Sequence, residues 1–127
     1  MNNLDKFFSK MQFRESRYVD PDGYYWNATT LYEFVKEKGY KPFELPLEAI
    51  NLSFLPFDIP DLDTFIWQIR RVRDVDLKYP ILLNNKGEII DGYHRICKAF
   101  LTNKKTIKAI RLLEMPKSDG KREESKS

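Results

Sequence analysis

Apolar residues recur at helical spacing after Pro60. Asp61 stands where a helix-capping residue belongs, and apolar residues then fall at i, i+3, i+4, i+7 and i+10: Leu62, Phe65, Ile66, Ile69 and Val72. This spacing predicts an amphipathic helix with one apolar stripe. The other face of that helix is polar and carries Gln68, Arg70, Arg71 and Arg73.

Two further helices are predicted in the N-terminal part of the chain. Thr30 and Glu33 are spaced as a capping box and Gly39 stands at a helix terminator position, so we predict a helix from about Thr30 to Lys38. A short helix is also predicted near the start, where apolar residues recur at Leu4, Phe7, Phe8 and Met11. The segment Asp20–Gly23 then has the composition of a turn.

Strand patterns occur in three stretches of the chain. The apolar run Tyr79–Leu83, the turn Asn84–Gly87 and the return Glu88–Ile90 predict a β-hairpin. Residues Thr106–Leu113 begin by alternating and predict a half-buried strand. The stretch Leu45–Phe57 contains two prolines, which indicates one short edge strand that enters an irregular segment.

The return strand of the hairpin runs directly into Asp91 and Gly92, and another helix pattern follows. Its apolar stripe is spaced at i, i+3, i+4, i+7 and i+8: Tyr93, Ile96, Cys97, Phe100 and Leu101. We expect this helix to end at Asn103.

These elements predict an α/β (α+β) fold, with a small mixed sheet flanked by helices. The sheet is expected in a domain over residues 45–116, after an N-terminal helical extension over residues 1–44. Residues 117–127 contain no apolar side chain, which predicts a disordered polar tail.

The length of 127 residues and a composition of 42% hydrophobic and 32% charged residues indicate one globular domain. The formal net charge of +3 permits a nucleic-acid partner without implying one. A single cysteine excludes a disulfide framework and a multi-cysteine zinc site. We find no membrane span or leader pattern, and expect a cytoplasmic protein without a membrane partner.

The start of the last helix carries the candidate chemistry. If the apolar stripe faces the core, then His94, Arg95 and Lys98 point away from it, beside the unpaired amide groups of the first helical turn. Gly92 leaves room for a close ligand. Cationic side chains at the positive end of a helix dipole predict a phosphate site.

Each residue of this candidate site has a possible role. Arg95 could grip phosphate oxygens, Lys98 could add a charge, and His94 could donate a hydrogen bond or act as an acid or base. Asp91 could cap the helix, orient Mg²⁺ or accept a hydroxyl proton. Arg70, Arg71 and Arg73 form a solvated face or contact the ligand. Cys97 is interpreted as a small core residue.

The segments Tyr79–Leu83, Gly87–Arg95 and Thr106–Ile110, together with Ala99, resemble the ParB/sulfiredoxin superfamily. The resemblance covers at most Leu45 to Leu113. It implies a Gly-x-x-Arg box, here Gly92 to Arg95, whose helix start binds nucleotide phosphates. The superfamily includes kinase and ParB-like branches, and the form Asp-Gly-x-His-Arg at Asp91 to Arg95 is similar to theirs.

Two departures from that superfamily narrow the function. The position before the His-Arg pair holds Tyr93, where sulfiredoxins have their reactive cysteine, so sulfinic-acid reduction is not expected. The superfamily also includes partition proteins. Because a polar tail follows soon after Leu113, we do not expect this chain to be a complete partition protein.

Our first hypothesis is a domain that binds a nucleotide, ATP or CTP, or another phosphate ester, with Mg²⁺ as a possible cofactor. The predicted site has Asp91 and His94 for chemistry, with ligand contacts from Gly92, Tyr93, His94, Arg95, Lys98, Arg70 and Arg73. The domain would be a binder, or a nucleotide-dependent kinase, NTPase or ParB-like nuclease. The alternative is a non-enzymatic module that docks the same basic site on DNA or an acidic protein.

Overall fold

The computed structural model describes residues 16–122 and divides them into two compact units. Residues 16–39 and 114–122 belong to one unit, and residues 40–113 form the other. The α+β fold is confirmed, with three α-helices and two small sheets in the described residues. The helix predicted around Leu4 to Met11 lies outside the described residues.

The first unit is a three-stranded antiparallel sheet with one helix. Strands β1 (Arg17–Val19) and β2 (Tyr24–Asn27) form a hairpin, and β2 also pairs with β7 (Gly120–Lys121). Helix α1 (Ala28–Lys38) follows β2 directly. The tail predicted from residue 117 is therefore corrected, because its first part adds a strand to this sheet and is fixed by backbone pairing.

The turn predicted at Asp20–Gly23 is confirmed, since the amide of Gly23 donates to the carbonyl of Asp20. Gly39 ends α1 with a φ of 68°, as predicted. The capping box is wrong: α1 begins after Asn27, and the hydroxyl of Thr30 donates to the carboxylate of Asp119 instead.

The second unit contains a mixed four-stranded sheet in the order β3-β6-β4-β5. Its strands are β3 (Phe43–Pro46), β4 (Ile81–Leu83), β5 (Ile89–Asp91) and β6 (Thr106–Arg111). Strands β4 and β6 are parallel, and the other pairs are antiparallel. The proline-containing strand β3 lies at an edge, where proline does not interrupt a central ladder.

Helices α2 (Leu62–Asp74) and α3 (Tyr93–Leu101) complete the second unit. The core consists of apolar side chains from the sheet, from α3 and from the short 3-10 helix Leu47–Ala49: Leu47, Ile81, Leu83, Ile96, Ala99, Ile107 and Ala109. The Asp61 cap is confirmed, because its carboxylate accepts the Thr64 amide at 2.8 Å.

The apolar stripe of α2 lies on an exposed face. Leu62 is 69% exposed and Ile69 is 52% exposed, whereas Trp67 is the buried side chain of this helix. On the same side as Trp67, Gln68 contacts a side chain of α3. Helix α2 therefore packs with a mixed face and leaves its more apolar stripe open.

The buried face of α3 also differs from the apolar stripe predicted for this helix. Ile96 and Ala99 are buried, with Tyr93 and Phe100 packed against the core, but Leu101 is 75% exposed. The core face is thus centred between Ile96 and Ala99, about one residue away from the predicted line. A small side chain at position 99 permits close packing on the sheet.

Candidate functional site

The candidate site begins at the junction of β5 and α3. Gly92 is the N-cap of α3 and adopts a φ of 112°, which favours glycine. The direction in which a side chain would project is filled by Ile81, whose own Cβ would lie 2.8 Å from a Cβ atom at position 92. The glycine is thus explained by backbone conformation and packing, and it does not open ligand space on that side.

Asp91 does not cap α3. It belongs to β5, and its carboxylate accepts a hydrogen bond from Nη2 of Arg95 at 3.0 Å. The side chains of Asp91 and Arg95 are only 18% and 15% exposed, so solvent screens this ion pair weakly. The pair holds the Arg95 guanidinium beside the first turn of the helix.

His94 lies between α2 and a loop. Its Nε2 atom is 2.5 Å from Oε1 of Gln68, and its ring packs against the ring of Phe57 at a centroid distance of 4.5 Å. Burial, followed by the charges of Arg71 and Arg95, lowers the pKa of His94 to about 4. The imidazole is therefore neutral at pH 7 and can donate a hydrogen bond, but it does not supply a cationic acid.

Arg71 was considered with Arg70 and Arg73 but was not among the ligand contacts of the predicted site. Its guanidinium lies over the ring of Trp67, 5.2 Å from the centroid. Burial lowers the pKa of Arg71, the Asp91 carboxylate opposes that shift, and the Arg95 charge adds to it. The available signal was its spacing of three and four residues from Gln68 and Trp67, which places all three on one helix face.

Lys98 has a different role from the predicted one. Its ammonium donates to the backbone carbonyls of Arg73 and Val75, at 2.9 and 2.6 Å. These carbonyls lie at the C-terminal end of α2, where a cation is favoured. Lys98 thus joins α3 to α2, and the expectation that it lies with His94 and Arg95 at one exposed end is corrected.

The other basic residues of α2 pair near its end. Two guanidinium nitrogens of Arg73 donate to the carboxylate of Asp74, and the Nε atom of Arg70 lies 4.0 Å from that carboxylate. Arg73 also lines the apolar groove between α2 and α3. A ligand role for Arg70 and Arg73 stays a prediction.

An irregular segment covers part of the helix start. The ring of Phe54 packs edge-on against the ring of Tyr93, with centroids 5.7 Å apart, while Phe57 packs on His94. Burial and the charge of Glu88 raise the pKa of the Tyr93 hydroxyl. Tyr93 is therefore a neutral, partly covered side chain, and less of the start of α3 is open to a ligand than the sequence predicts.

Cys97 is half-buried and lines the groove between α2 and α3. Burial raises the pKa of its thiol, which disfavours the reactive thiolate.

The Asp91 carboxylate, which is the predicted Mg²⁺ contact, lies close to two arginine side chains. It binds Arg95 and also interacts with the charge of Arg71. Across residues 16–122 no group of three or more histidine, cysteine or acidic side chains is placed to hold a metal ion. The role of Asp91 in placing Mg²⁺ beside a bound nucleotide stays a prediction.

No protein-family model matches the chain, and neither a curated protein nor a solved structure matches it significantly. The resemblance to the ParB/sulfiredoxin superfamily therefore stays a prediction. Within the described part of the chain, no helix combines the length and apolarity needed to cross a bilayer.

The lowered pKa of His94 predicts a pH effect on stability. A histidine pKa near 6.5 in the unfolded chain falls to about 4 on folding, so the native state binds fewer protons between these values. Stability is complete above the unfolded pKa and falls as the pH drops through this window. After allowance for partial solvent screening, we expect the His94 contribution to lower the free energy of unfolding by about 1 kcal/mol between pH 7 and pH 5.

Urea unfolding of the wild type and of His94→Asn at several pH values tests this effect. Carboxylates such as Asp61 titrate equally in both proteins, so only the difference between the two pH curves reports on His94. Parallel curves would show that position 94 makes no such contribution.

Proposed function

We propose that residues 40–113 bind a phosphate-bearing small molecule of the nucleotide class at the start of α3. The single observation behind this proposal is the local charge balance. Arg95 donates to the Asp91 carboxylate and the charge of Arg71 acts on both groups, so two guanidinium groups meet one carboxylate beside the neutral imidazole of His94. The Glu88 carboxylate acts on Tyr93. A partly buried excess of positive charge at a helix N-terminus favours an anion.

Each group at the start of α3 has a distinct role in the proposed binding. The amide groups of the first turn of α3 offer donors that have no partner within the helix. Arg71 and Arg95 supply charge-assisted hydrogen bonds to phosphate oxygens, and Asp91 positions the Arg95 guanidinium. The single N–H of the neutral His94 ring is directed at Oε1 of Gln68, so His94 positions the site without donating to the ligand. This arrangement accounts for binding and does not require phosphoryl transfer or hydrolysis.

Thermal melts with ATP, CTP and inorganic phosphate test the proposal. A ligand at one hundred times its dissociation constant stabilises the native state by about 2.7 kcal/mol, which is a shift of several degrees for a small domain. Arg71→Gln should weaken binding at least about tenfold, since it removes one charge-assisted contact. Lys108→Gln is the control, because Lys108 is an exposed cation on β6.

Circular dichroism of each variant separates lost binding from lost folding. The absence of a shift with every phosphate compound, or an equal shift in wild type and Arg71→Gln, would contradict the proposal. Salt-sensitive binding to DNA without protection by nucleotide would support the non-enzymatic alternative instead. Phosphate release from ATP or CTP with added Mg²⁺ would show catalysis as well as binding.

A further inference from the structure

A large apolar surface remains open on the second unit. Helix α2 carries part of it, a loop residue before α2 and the end of α3 contribute the rest, and we call these residues the apolar patch: Leu55, Leu62, Phe65, Ile66, Ile69 and Leu101. Their side chains are between 44% and 75% exposed. The spacing of the four α2 residues places them along one face of the helix.

The patch has a concave part and a projecting part. Phe65, Ile69 and Leu101 line a groove of about 470 Å³ between α2 and α3. Leu62 and Ile66 lie on the same face of α2, one helical turn apart, and are not among the groove-lining residues. The surface thus offers both apolar side chains to insert and a groove that can receive them.

The open area is sufficient for a stable protein contact. If a large apolar side chain has about 150–200 Å² of surface, the exposed fractions of the patch leave on the order of 600 Å² of apolar area open. A standard interface takes about 800 Å² from each partner, of which roughly 500 Å² is apolar. The patch alone supplies the apolar part of such an interface.

The charges of α2 favour a second copy of the same chain. Its N-terminal end is acidic, with Asp61 and Asp63, whereas its last turns carry Arg70 and Arg73 beside one carboxylate, that of Asp74. When two copies of this helix lie antiparallel, the acidic end of each faces the basic end of the other. A two-fold axis produces this arrangement with one self-complementary surface.

We propose that the apolar patch is a homodimer interface in which two copies of α2 pair antiparallel about a two-fold axis near Ile66. Leu62 and Ile66 of one copy pack into the groove of the other, and the reciprocal contact forms at the same time. The acidic and basic ends set the direction of pairing. This interface does not use the phosphate-site arginines Arg71 and Arg95, although Gln68, which contacts His94, also lines the groove.

Sedimentation equilibrium of the full chain over a concentration series tests the proposal. The wild type should show twice the monomer mass at micromolar concentration. Leu62→Asp should raise the dimer dissociation constant at least about tenfold, because each dimer then contains two buried carboxylates. Leu113→Asp is the matched control, since Leu113 is 74% exposed and lies outside the patch.

Charge exchange identifies the partner as a second copy. Asp63→Lys and Arg70→Glu should each weaken self-association, because each places like charges together across the axis. An equimolar mixture of the two variants should recover the association, since unlike charges then meet at both ends of a mixed dimer. Recovery in the mixture supports the antiparallel pairing.

Three results would overturn the inference. The first is a wild-type chain that stays monomeric at every concentration. The second is a dimer that withstands Leu62→Asp, which would place its interface elsewhere. The third is open-ended association without a dimer plateau, which would require a heterologous contact in place of a two-fold axis. Thermal melts confirm that each variant is folded before its mass is interpreted.

Discussion

Replacement of Gly92 by alanine is expected to destabilise the second unit by at least about 3 kcal/mol. Two separate effects combine at this position. The φ of 112° is unfavourable for any residue with a Cβ atom, and that atom would collide with Cγ2 of Ile81 and stand 2.8 Å from its Cβ. Ile81 is fully buried in a packed core and has no room to withdraw.

Gly87→Ala is the matched control for this experiment. Gly87 also has a positive φ, of 82°, but the atoms nearest to where its Cβ would stand belong to Arg111 and lie 3.9 Å away. We expect a loss of only about 1–2 kcal/mol, from backbone conformation alone. Urea unfolding of both variants therefore separates the steric contribution at position 92 from the conformational one.

A double-mutant cycle with Ile81→Ala adds a second check. Ile81→Ala removes atoms that would collide, so the effects of the two substitutions should be less than additive. Similar losses in Gly92→Ala and Gly87→Ala, or strict additivity in the cycle, would show that the contact with Ile81 does not restrict position 92.

Asn84→Ala is expected to lower the free energy of unfolding by about 2–3 kcal/mol. The Asn84 side chain is buried in the hairpin turn that precedes the candidate site. Its oxygen accepts the amides of Lys86 and Glu88, at 3.0 and 2.9 Å, and its nitrogen donates to the Glu88 carboxylate. Alanine would leave two backbone donors without their acceptor.

The neighbouring substitution Asn85→Ala provides the control. Asn85 is exposed, and it is the backbone carbonyl of this residue that accepts a hydrogen bond from Arg111, which alanine retains. We expect a change within about 0.5 kcal/mol. Equal losses in the two variants would show that the turn depends on general asparagine propensity and not on the bonds of Asn84.

The sequence predicted local elements well where short-range chemistry decides them. The hairpin from β4 to β5 followed from an apolar run and a glycine-containing turn, and the Asp61 cap followed from a single preferred residue type. The end of α1 at Gly39 followed from the left-handed conformation that glycine favours. Each of these features depends on residues only a few positions apart.

The candidate site was predicted only in part. The sequence placed Asp91 to Arg95 at a helix start, but Arg71 and Gln68 come to His94 through the packing of α2 against α3. Lys98 was predicted to contact a ligand. Its actual contacts are with the end of α2, more than twenty residues away in the sequence, and the sequence does not reveal contacts of that range. A search along one helix does not reveal the charges that another helix contributes.

The sequence by itself therefore determined the α+β composition of the chain, the hairpin, the Asp61 and Gly39 caps and the helix that begins after Gly92. Only the tertiary structure decided which helix faces are buried, that Gly120–Lys121 adds a strand to the N-terminal sheet, and that Arg71 joins the candidate site. The physical reason is how far apart in the sequence the interacting residues lie. Turns and caps are fixed by neighbours in the chain, whereas burial and charge depend on side chains that folding brings together.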